Sequence, residues 1–391
     1  MADLAVDAAG PEWLVARRNA ASELAASLPL PGPKDKGWEF TDLSGVDLDS
    51  HPAAAPVVTG LATSSDGVVV LPLAEAAVSH SEIVEKHFGS LVADEDPFVA
   101  RNDRDWKDGV FVYVPAGQRL EGELRLDISQ EQSGSTVTWR TLIVVEEGGE
   151  AEVWERFISP DGTEGVFNGV TELVVGQGAT LRYICQQDLA DEGLIFATQR
   201  GLVARDGNLE WVSLGFGSGN GKVRMETKLD GPGANAKVTG AYASNGTQHI
   251  DYDTIQEHAA PHTTSDLAFR GVLGDSSTTV WRGMIIVDKE AQQTDAFQEN
   301  RNLLLTRQAH ADAIPGLEIE ADDVRCTHAA AIAQVDEEQL FYLRSRGLDE
   351  DDGTRLVVEG FLAELTERLP EGEASDRLSE TLGERLAELL A

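Results

Sequence analysis

The sequence contains few cysteines and no long apolar segment. Only Cys185 and Cys326 occur among 391 residues, which is too few for a disulfide framework and is typical of a reducing compartment. The first residues, MADLAVDAAGPEWLV, lack a basic segment followed by a continuous apolar one, and no run of about eighteen apolar residues occurs. We therefore expect a cytoplasmic protein with neither a secretory signal nor a membrane span.

Positive charge is also scarce. Lys and Arg total 31 against 68 Asp and Glu, and the formal charge of −37 would repel nucleic-acid phosphates over most of the surface. The acidic residues are spread along the chain, a pattern that suits a folded protein in concentrated salt, where screening weakens self-repulsion. We predict no nucleic-acid partner and a halophilic source, with an ordinary acidic cytosolic protein as the alternative.

Glycines recur at regular intervals in the middle of the chain. Gly122, Gly149, Gly178, Gly207 and Gly233 are 27, 29, 29 and 26 residues apart, and each precedes a segment in which apolar and polar residues alternate. A repeat of that length without helical patterns predicts a solenoid, most simply a parallel β-helix. A β-sandwich is the alternative, but its turns usually recur about every 8 to 12 residues.

Helical patterns occur on both sides of the repeat. The segment 11–28 has one apolar stripe, which predicts a helix. The sequence therefore predicts a mainly β protein with an N-terminal helical or mixed region over 1–95, a parallel β-helix core over 96–334 and a small helical domain over 335–391.

The C-terminal domain is predicted to begin with a capped helix. Asp336 is placed to cap the segment EEQLFYLRS, which Gly347 ends. A second helix is marked by apolar residues at four-residue spacing: Val357, Phe361, Leu365 and Leu369.

The segment DDVRCTHAAA suggests part of a metal site. On a strand, Cys326 and His328 would point to the same face and could bind one metal. They supply only two of the four ligands that zinc or an iron-sulfur cluster generally needs, so the others would come from distant residues or a second subunit. A nucleophilic cysteine is a weaker alternative, and a buried thiol beside an incidental histidine is the default expectation.

A second polar cluster lies in QHIDYDTIQEHAAPHTTSD. It contains His249, Asp251, His258 and His262, but Pro261 interrupts the last histidine pair, so the pair cannot form an uninterrupted zinc-binding helix. We favour polar ladders at solenoid turns over a metal site here.

Two further features carry little functional signal. Cys185 is in phase with Leu181 and Tyr183 on an alternating strand, which predicts a buried structural thiol. The sequence contains no G-x-x-x-x-G-K-[ST] motif, so we expect the chain to bind no nucleotide itself.

The run AQQTDAFQENRNLLLTRQAHADAIPGLEIEADDVRCTHAAAIAQVDEEQLFYLRSRGL, from residue 291, closely resembles the C-terminal core of the SufB/SufD family of iron-sulfur cluster assembly scaffolds. Similar elements are DYDTIQEHAAPHTTSD, VLGDSSTTVWRGMIIV, GWEFTDL and PEWLVARR. The resemblance covers essentially the whole chain.

The chain resembles the SufD branch of the family more than the SufB branch. SufB-like members carry a cysteine just before the leucine run and a glutamate directly after the histidine, whereas QENRN at 298–302 has no cysteine and Ala329 follows His328. The family's usual Cys-Ser-His-Gly-Ala-Thr reads CTHAAA here, which keeps Cys326 and His328. The departures are Thr327, Ala329 and Ala331.

The resemblance implies a right-handed parallel β-helix that pairs with a SufB-like paralogue. It also implies that Cys326 and His328 bind a transient iron-sulfur cluster at that interface, and that the C-terminal helical unit docks a SufC-like ATPase. On these grounds the chain is a scaffold and not an enzyme. Pairing with a second copy of the chain stays open.

For SufC docking, the helix LFYLRSRG and the stripe after it supply the candidates. They are Leu340, Phe341, Tyr342, Arg344, Arg346 and Phe361. Internal packing is the alternative for each of them.

Two other functions are weighed against the scaffold. A β-helix enzyme acting on acidic polysaccharide would normally be exported and would repeat carboxylates or basic groups on successive coils, and neither feature is evident. A passive structural solenoid would not need Cys326 and His328.

Overall fold

The computed structural model describes residues 10–61, 67–369 and 372–389. The N-terminal part is mixed, as predicted. It comprises α1 (Glu12–Ser27), β1 (Ala53–Ala54), β2 (Val57–Thr59), β3 (Val69–Pro72), α2 (Leu73–Ser79), α3 (Ser81–His87) and α4 (Pro97–Asp105). The Asp96 side chain caps α4 by accepting hydrogen bonds from two backbone N–H groups of its first turn.

Two long sheets follow, here called sheet A and sheet B. Sheet A contains β4 (Asp108–Val114), β6 (Ser135–Val145), β8 (Gly165–Val175), β10 (Gly193–Val203), β12 (Asn220–Leu229), β14 (His249–His258), β16 (Thr278–Val287) and β18 (His310–Ile319). Sheet B contains β5 (Leu124–Ser129), β7 (Glu150–Ile158), β9 (Thr180–Asp188), β11 (Asn208–Gly215), β13 (Asn235–Ser244), β15 (Thr264–Leu273), β17 (Asp295–Leu304) and β19 (Arg325–Gln334).

The chain alternates between these two sheets and forms a parallel β-solenoid. Each of these strands pairs in parallel with the strand two places later, in sheet A and in sheet B alike, so eight coils stack on one another. The N-terminal strands β2 and β3 pair antiparallel with β5 and β4. The prediction of a mainly β protein built on a parallel solenoid with helical parts on both sides is confirmed.

One corner of the solenoid accounts for part of the glycine repeat: Gly178 and Gly233 occupy its left-handed position, whereas Gly149 and Gly207 come one residue after it. On successive coils a residue with φ between 54° and 77° occupies the same turn: Gly148, Gly178, Asp206, Gly233, His262 and Gln293. The N–H of Gly178 donates to Arg205 O at 2.9 Å and that of His262 donates to Gln292 O at 2.9 Å, so each turn is hydrogen-bonded to the next. The left-handed conformation favours glycine but admits polar residues, and the later coils use them.

The solenoid interior is filled with apolar and aromatic side chains, since alternate residues of every strand point inward. The largest of those that are fully buried include Trp139, Trp211, Trp281, Tyr183 and Tyr252. The N-terminal helices cover the outer face of sheet A, where Leu73, Phe88 and Trp106 pack against residues of β4 and β6.

The C-terminal helices are α5 (Glu337–Ser345), α6 (Glu350–Thr366) and α7 (Glu373–Leu389). Asp336 caps α5 as predicted, by accepting from Glu338 N. No helix in the described ranges is both long and apolar enough to cross a membrane.

Helices α6 and α7 pack on the outer face of sheet B. The buried apolar side chains of α6 and the turn after it are Val358, Leu362, Leu365 and Leu369, whereas Val357 and Phe361 are partly buried. The stripe of strict four-residue spacing therefore follows the buried face only in its second half, because a helix of 3.6 residues per turn drifts away from that spacing.

His258 gives the fold a specific pH dependence. Its ring is fully buried between the hydroxyls of Thr263, 2.7 Å from Nδ1, and Ser265, 2.9 Å from Nε2. Burial lowers its pKa from 6.5 to about 4, so the folded chain holds the neutral ring.

We expect the free energy of unfolding to fall by about 3 kcal/mol through His258 as the pH drops from 6.5 to 4. The unfolded chain takes up a proton near the upper value and the folded chain only near the lower one. In His258→Gln this component should be absent, so the difference in thermal midpoint between wild type and variant should narrow on acidification. His262→Gln is the control, because Gln293 already occupies the same turn position. An unchanged difference across this pH range would contradict the assignment.

Candidate functional site

Cys326 and His328 lie on β19, the last strand of sheet B. In the parallel register, Ala296 of β17 pairs with Cys326 and Gln298 with His328. Ala296 and Gln298 are both buried, so their partners occupy inward-facing positions at the end of the solenoid. The predicted geometry, with both side chains on one face of a strand, is present.

The two donors have different environments. Cys326 is half-buried and contacts a small apolar cluster that includes Ile285 and Val287. Burial, and secondarily the charge of Asp295, raise the pKa of the Cys326 thiol, so the isolated chain presents a protonated thiol. His328 is exposed.

Within the described residues, nothing covers the core at this end. Leu317 and Ile319 of β18 pair with the buried residues Ile285 and Val287 of β16, yet they are 37% and 40% exposed, and Ile332 of β19 is 46% exposed. Inward-facing apolar side chains are thus left in contact with solvent where a ninth coil would begin.

The metal-binding capacity of this end is incomplete. Within residues 10–61, 67–369 and 372–389, no group of three or more Cys, His, Asp or Glu side chains could hold a metal ion. One thiolate and one imidazole suit iron or zinc, but a metal bound to them would need further ligands besides those the described residues offer.

The second polar cluster is divided among separate structural tasks. His249 Nδ1 lies 2.7 Å from Thr278 Oγ1, and Asp251 accepts from Lys222 Nζ at 2.7 Å. His258 is the buried neutral ring described above, and His262 occupies a left-handed turn. These positions agree with the prediction of turn and ladder roles.

Cys185 is a buried thiol, as predicted. It is 5% exposed, and Gln199 Nε2 donates to its sulfur at 3.3 Å. Burial raises its pKa to about 12, which leaves it unreactive near neutral pH.

The residues predicted for partner docking fall into two groups. Helix α5 has no buried residue, and Phe341 and Tyr342 are 74% and 56% exposed. The Arg346 guanidinium lies 5.1 Å from the Tyr342 ring. Phe361 instead packs on the cluster beneath α6, 5.9 Å from the Arg270 guanidinium.

The rest of that group belongs to α5 and its end. Leu340 is half-buried, whereas Arg344 and Arg346 are exposed.

The sequence did not predict the exposure of Leu317, Ile319 and Ile332. The inward positions of a strand have the same apolar pattern whether or not another coil follows.

Comparison with known proteins gives two family matches. "SUF system FeS cluster assembly, SufBD core domain" matches residues 128–361, and "SufBD protein N-terminal region" matches residues 57–126. The iron-sulfur cluster assembly protein SufD of Bacillus subtilis is 28% identical, over 92% of this chain and 91% of that protein. A SufBD family protein of Mycobacterium leprae is 29% identical, over 89% and 88%, and one of Staphylococcus saprophyticus is 31% identical, over 78% and 66%.

Thiol labelling should separate the two cysteines. We expect a thiol reagent to modify only Cys326 in the folded chain and both cysteines after unfolding, so Cys326→Ser should abolish native labelling. Asp295→Asn should raise the labelling rate at a fixed mildly alkaline pH, because it removes a charge that disfavours the thiolate. Asp312→Asn, on β18, is the matched control, and equal rates in both variants would argue against the electrostatic effect.

Proposed function

This chain belongs to the SufBD family of iron-sulfur cluster assembly proteins as a SufD-like member, and we propose that it is a non-catalytic scaffold subunit. It pairs with a SufB-like paralogue through the open end of the solenoid. It also binds a SufC-like ATPase, which carries the ATP hydrolysis, through its C-terminal helices. A nascent iron-sulfur cluster forms between the two scaffold subunits.

The position of Cys326 and His328 carries this proposal. Both are inward-facing on the last strand, where a second protein stacked on the end of the solenoid would meet them. A thiolate and an imidazole are ligands that iron accepts. The paralogue supplies the remaining ligands.

An incomplete ligand set suits the release of a cluster. A site with all its ligands in one chain would hold its metal, whereas a shell divided between two chains weakens when they separate. The raised pKa of Cys326 has the same consequence, since the thiol reprotonates readily once the metal is gone.

The uncovered apolar residues support pairing at this end. Leu317, Ile319 and Ile332 are more than one-third exposed, and their burial by a partner would stabilise the complex. We propose the same surface for pairing of two copies of the chain when the paralogue is missing.

Helix α5 is the proposed docking surface for the ATPase, with Phe341 and Tyr342 as its aromatic contacts and Leu340, Arg344 and Arg346 around them. Phe361, on α6, packs on the cluster between α6 and sheet B and is the proposed support for this surface. A buried guanidinium connects α6 to the strand next to β19: Arg270 Nη2 donates to Glu299 Oε1 of β17 at 2.6 Å and to Glu364 Oε2 of α6 at 2.9 Å. Movement of the helices would therefore reach the last coils.

The double variant Cys326→Ser, His328→Ala tests the ligand assignment. Co-expressed in high salt with the SufB-like and SufC-like partners, it should still assemble the complex, because the apolar residues proposed to carry the pairing, Leu317, Ile319 and Ile332, are unchanged. Iron per complex and the cluster's absorption should fall at least about tenfold. A passive solenoid would keep a normal cluster, and that result would refute the ligand role.

The docking surface is tested by Phe341→Ser, Tyr342→Ser. Both side chains are exposed, so the free energy of unfolding should change by less than about 0.5 kcal/mol. Binding to the ATPase, measured by titration calorimetry, should weaken about thirtyfold or more, as expected for aromatic hot spots. Val78→Ser, which alters a 66% exposed residue on α2, is the control. If the wild type and both variants bound the ATPase with equal affinity, Phe341 and Tyr342 would not form the docking surface.

A further inference from the structure

The side chain directly beneath His328 is a buried amide. Gln298 lies on β17, is fully buried and pairs in register with His328 of β19. Both occupy inward-facing positions, so the two side chains are neighbours in adjacent coils.

The hydrogen bonds of Gln298 fix the orientation of its amide group. Its Nε2 donates to Gly283 O at 3.3 Å and to Gly316 O at 3.1 Å, across the core in sheet A. Both partners are carbonyl oxygens, so the nitrogen must lie on that side. Oε1 is buried and has no hydrogen-bond partner within the described residues.

Glycine in sheet A makes room for this arrangement. A Cβ on Gly283 would lie 2.6 Å from Gln298 Oε1 and 2.2 Å from the Trp281 ring. Glycine at position 283 of β16 therefore leaves space for the Gln298 side chain to extend across the core, and Gln298 Oε1 has no hydrogen-bond partner within the described residues.

The neighbour of Gln298 distinguishes it from another buried glutamine of the same kind. Gln187 also donates through Nε2 to a backbone carbonyl, Gly217 O at 2.8 Å, and its buried Oε1 likewise has no partner in the described part of the chain. Its neighbours in register are Phe157 and Gly215, neither of which has a side-chain donor. Beside Gln298 there is an imidazole.

We propose that Gln298 is a positioning residue for His328, whose ring N–H donates to Gln298 Oε1 while the other ring nitrogen faces the cluster. The proposal rests on the proposed function, because it assumes that His328 is a ligand. Metal-bound histidines almost always donate their second ring nitrogen to an acceptor, which fixes the tautomer and the ring direction. Gln298 Oε1 has no partner within the described residues, so in this proposal the bond forms when the exposed His328 ring turns inward onto it in the complex.

The test compares Gln298→Met, which keeps the side-chain length without an acceptor, with the matched control Gln187→Met. The complex with the SufB-like and SufC-like partners is purified from each, and loss of iron to a chelator is followed. Gln298→Met should lose iron at least about tenfold faster than wild type, and Gln187→Met at the wild-type rate.

Pulsed EPR of the reduced cluster with ¹⁵N-histidine in this subunit should show a coupling between the cluster and a histidine nitrogen. That coupling should disappear in His328→Ala and change in Gln298→Met. A structure of the iron-free complex should place Oε1 within about 3.2 Å of a His328 ring nitrogen.

The outcomes separate this proposal from the one on which it rests. A ¹⁵N coupling lost in His328→Ala, together with equal iron loss from Gln298→Met and wild type, would overturn the positioning role and leave the ligand role intact. No coupling in the wild type would overturn both. A complex in which Oε1 accepts from Trp281 Nε1, a buried donor with no partner among the residues that the structure describes, would also overturn it.

Discussion

Parallel stacking in register determines which side chains meet in this protein. Each strand pairs residue for residue with the equivalent strand of the next coil, so an inward position stays inward from the first coil to the last. Lateral pairing ends at β18 and β19, where the inward row reaches solvent. The last members of such rows are the proposed ligands Cys326 and His328 and the apolar residues Leu317, Ile319 and Ile332. Their exposure follows from the position of the last coil.

A buried arginine fastens a helical layer to each outer face. On sheet A, Arg140 is fully buried and forms ion pairs with Asp103 of α4 and Glu172 of β8. On sheet B, Arg270 joins Glu299 of β17 to Glu364 of α6. Buried ion pairs such as those of Arg140 contribute little net stability but penalise any arrangement that separates them; on sheet B the guanidinium is buried, whereas Glu364 is 57% exposed. We therefore assign them to orientation: they hold each helical layer in one position on a sheet whose rows are otherwise alike.

Much of this architecture follows from the sequence by simple rules. Glycine spacing and alternation predict the coils, and Asp336 predicts the start of α5. The glycine repeat disappears after Gly233 because His262 and Gln293 take over the left-handed turn, so a count of glycines misses the later coils. The α6 face is predicted only partly, since the helical drift and the shape of sheet B select Val358 and Leu362. The site needed the register as well, because no spacing in one segment places Gln298 beneath His328.

The register also separates the two sides of the segment CTHAAA: its thiol and imidazole lie on one side of β19, and its three departures from the family's usual segment lie on the other. Successive residues of β19 point alternately inward and outward, so Cys326 and His328 share one side of the strand with Ala330. Thr327, Ala329 and Ala331, the three departures from the family's usual segment, are on the other side, where Ala329 and Ala331 pair with Glu299 and Arg301. Small side chains at those positions change the outer surface of the last coil, beside the Arg270 ion pairs, and leave the inward row untouched. The three departures therefore change the outward side of β19, while the inward positions of Cys326 and His328 keep their register with Ala296 and Gln298.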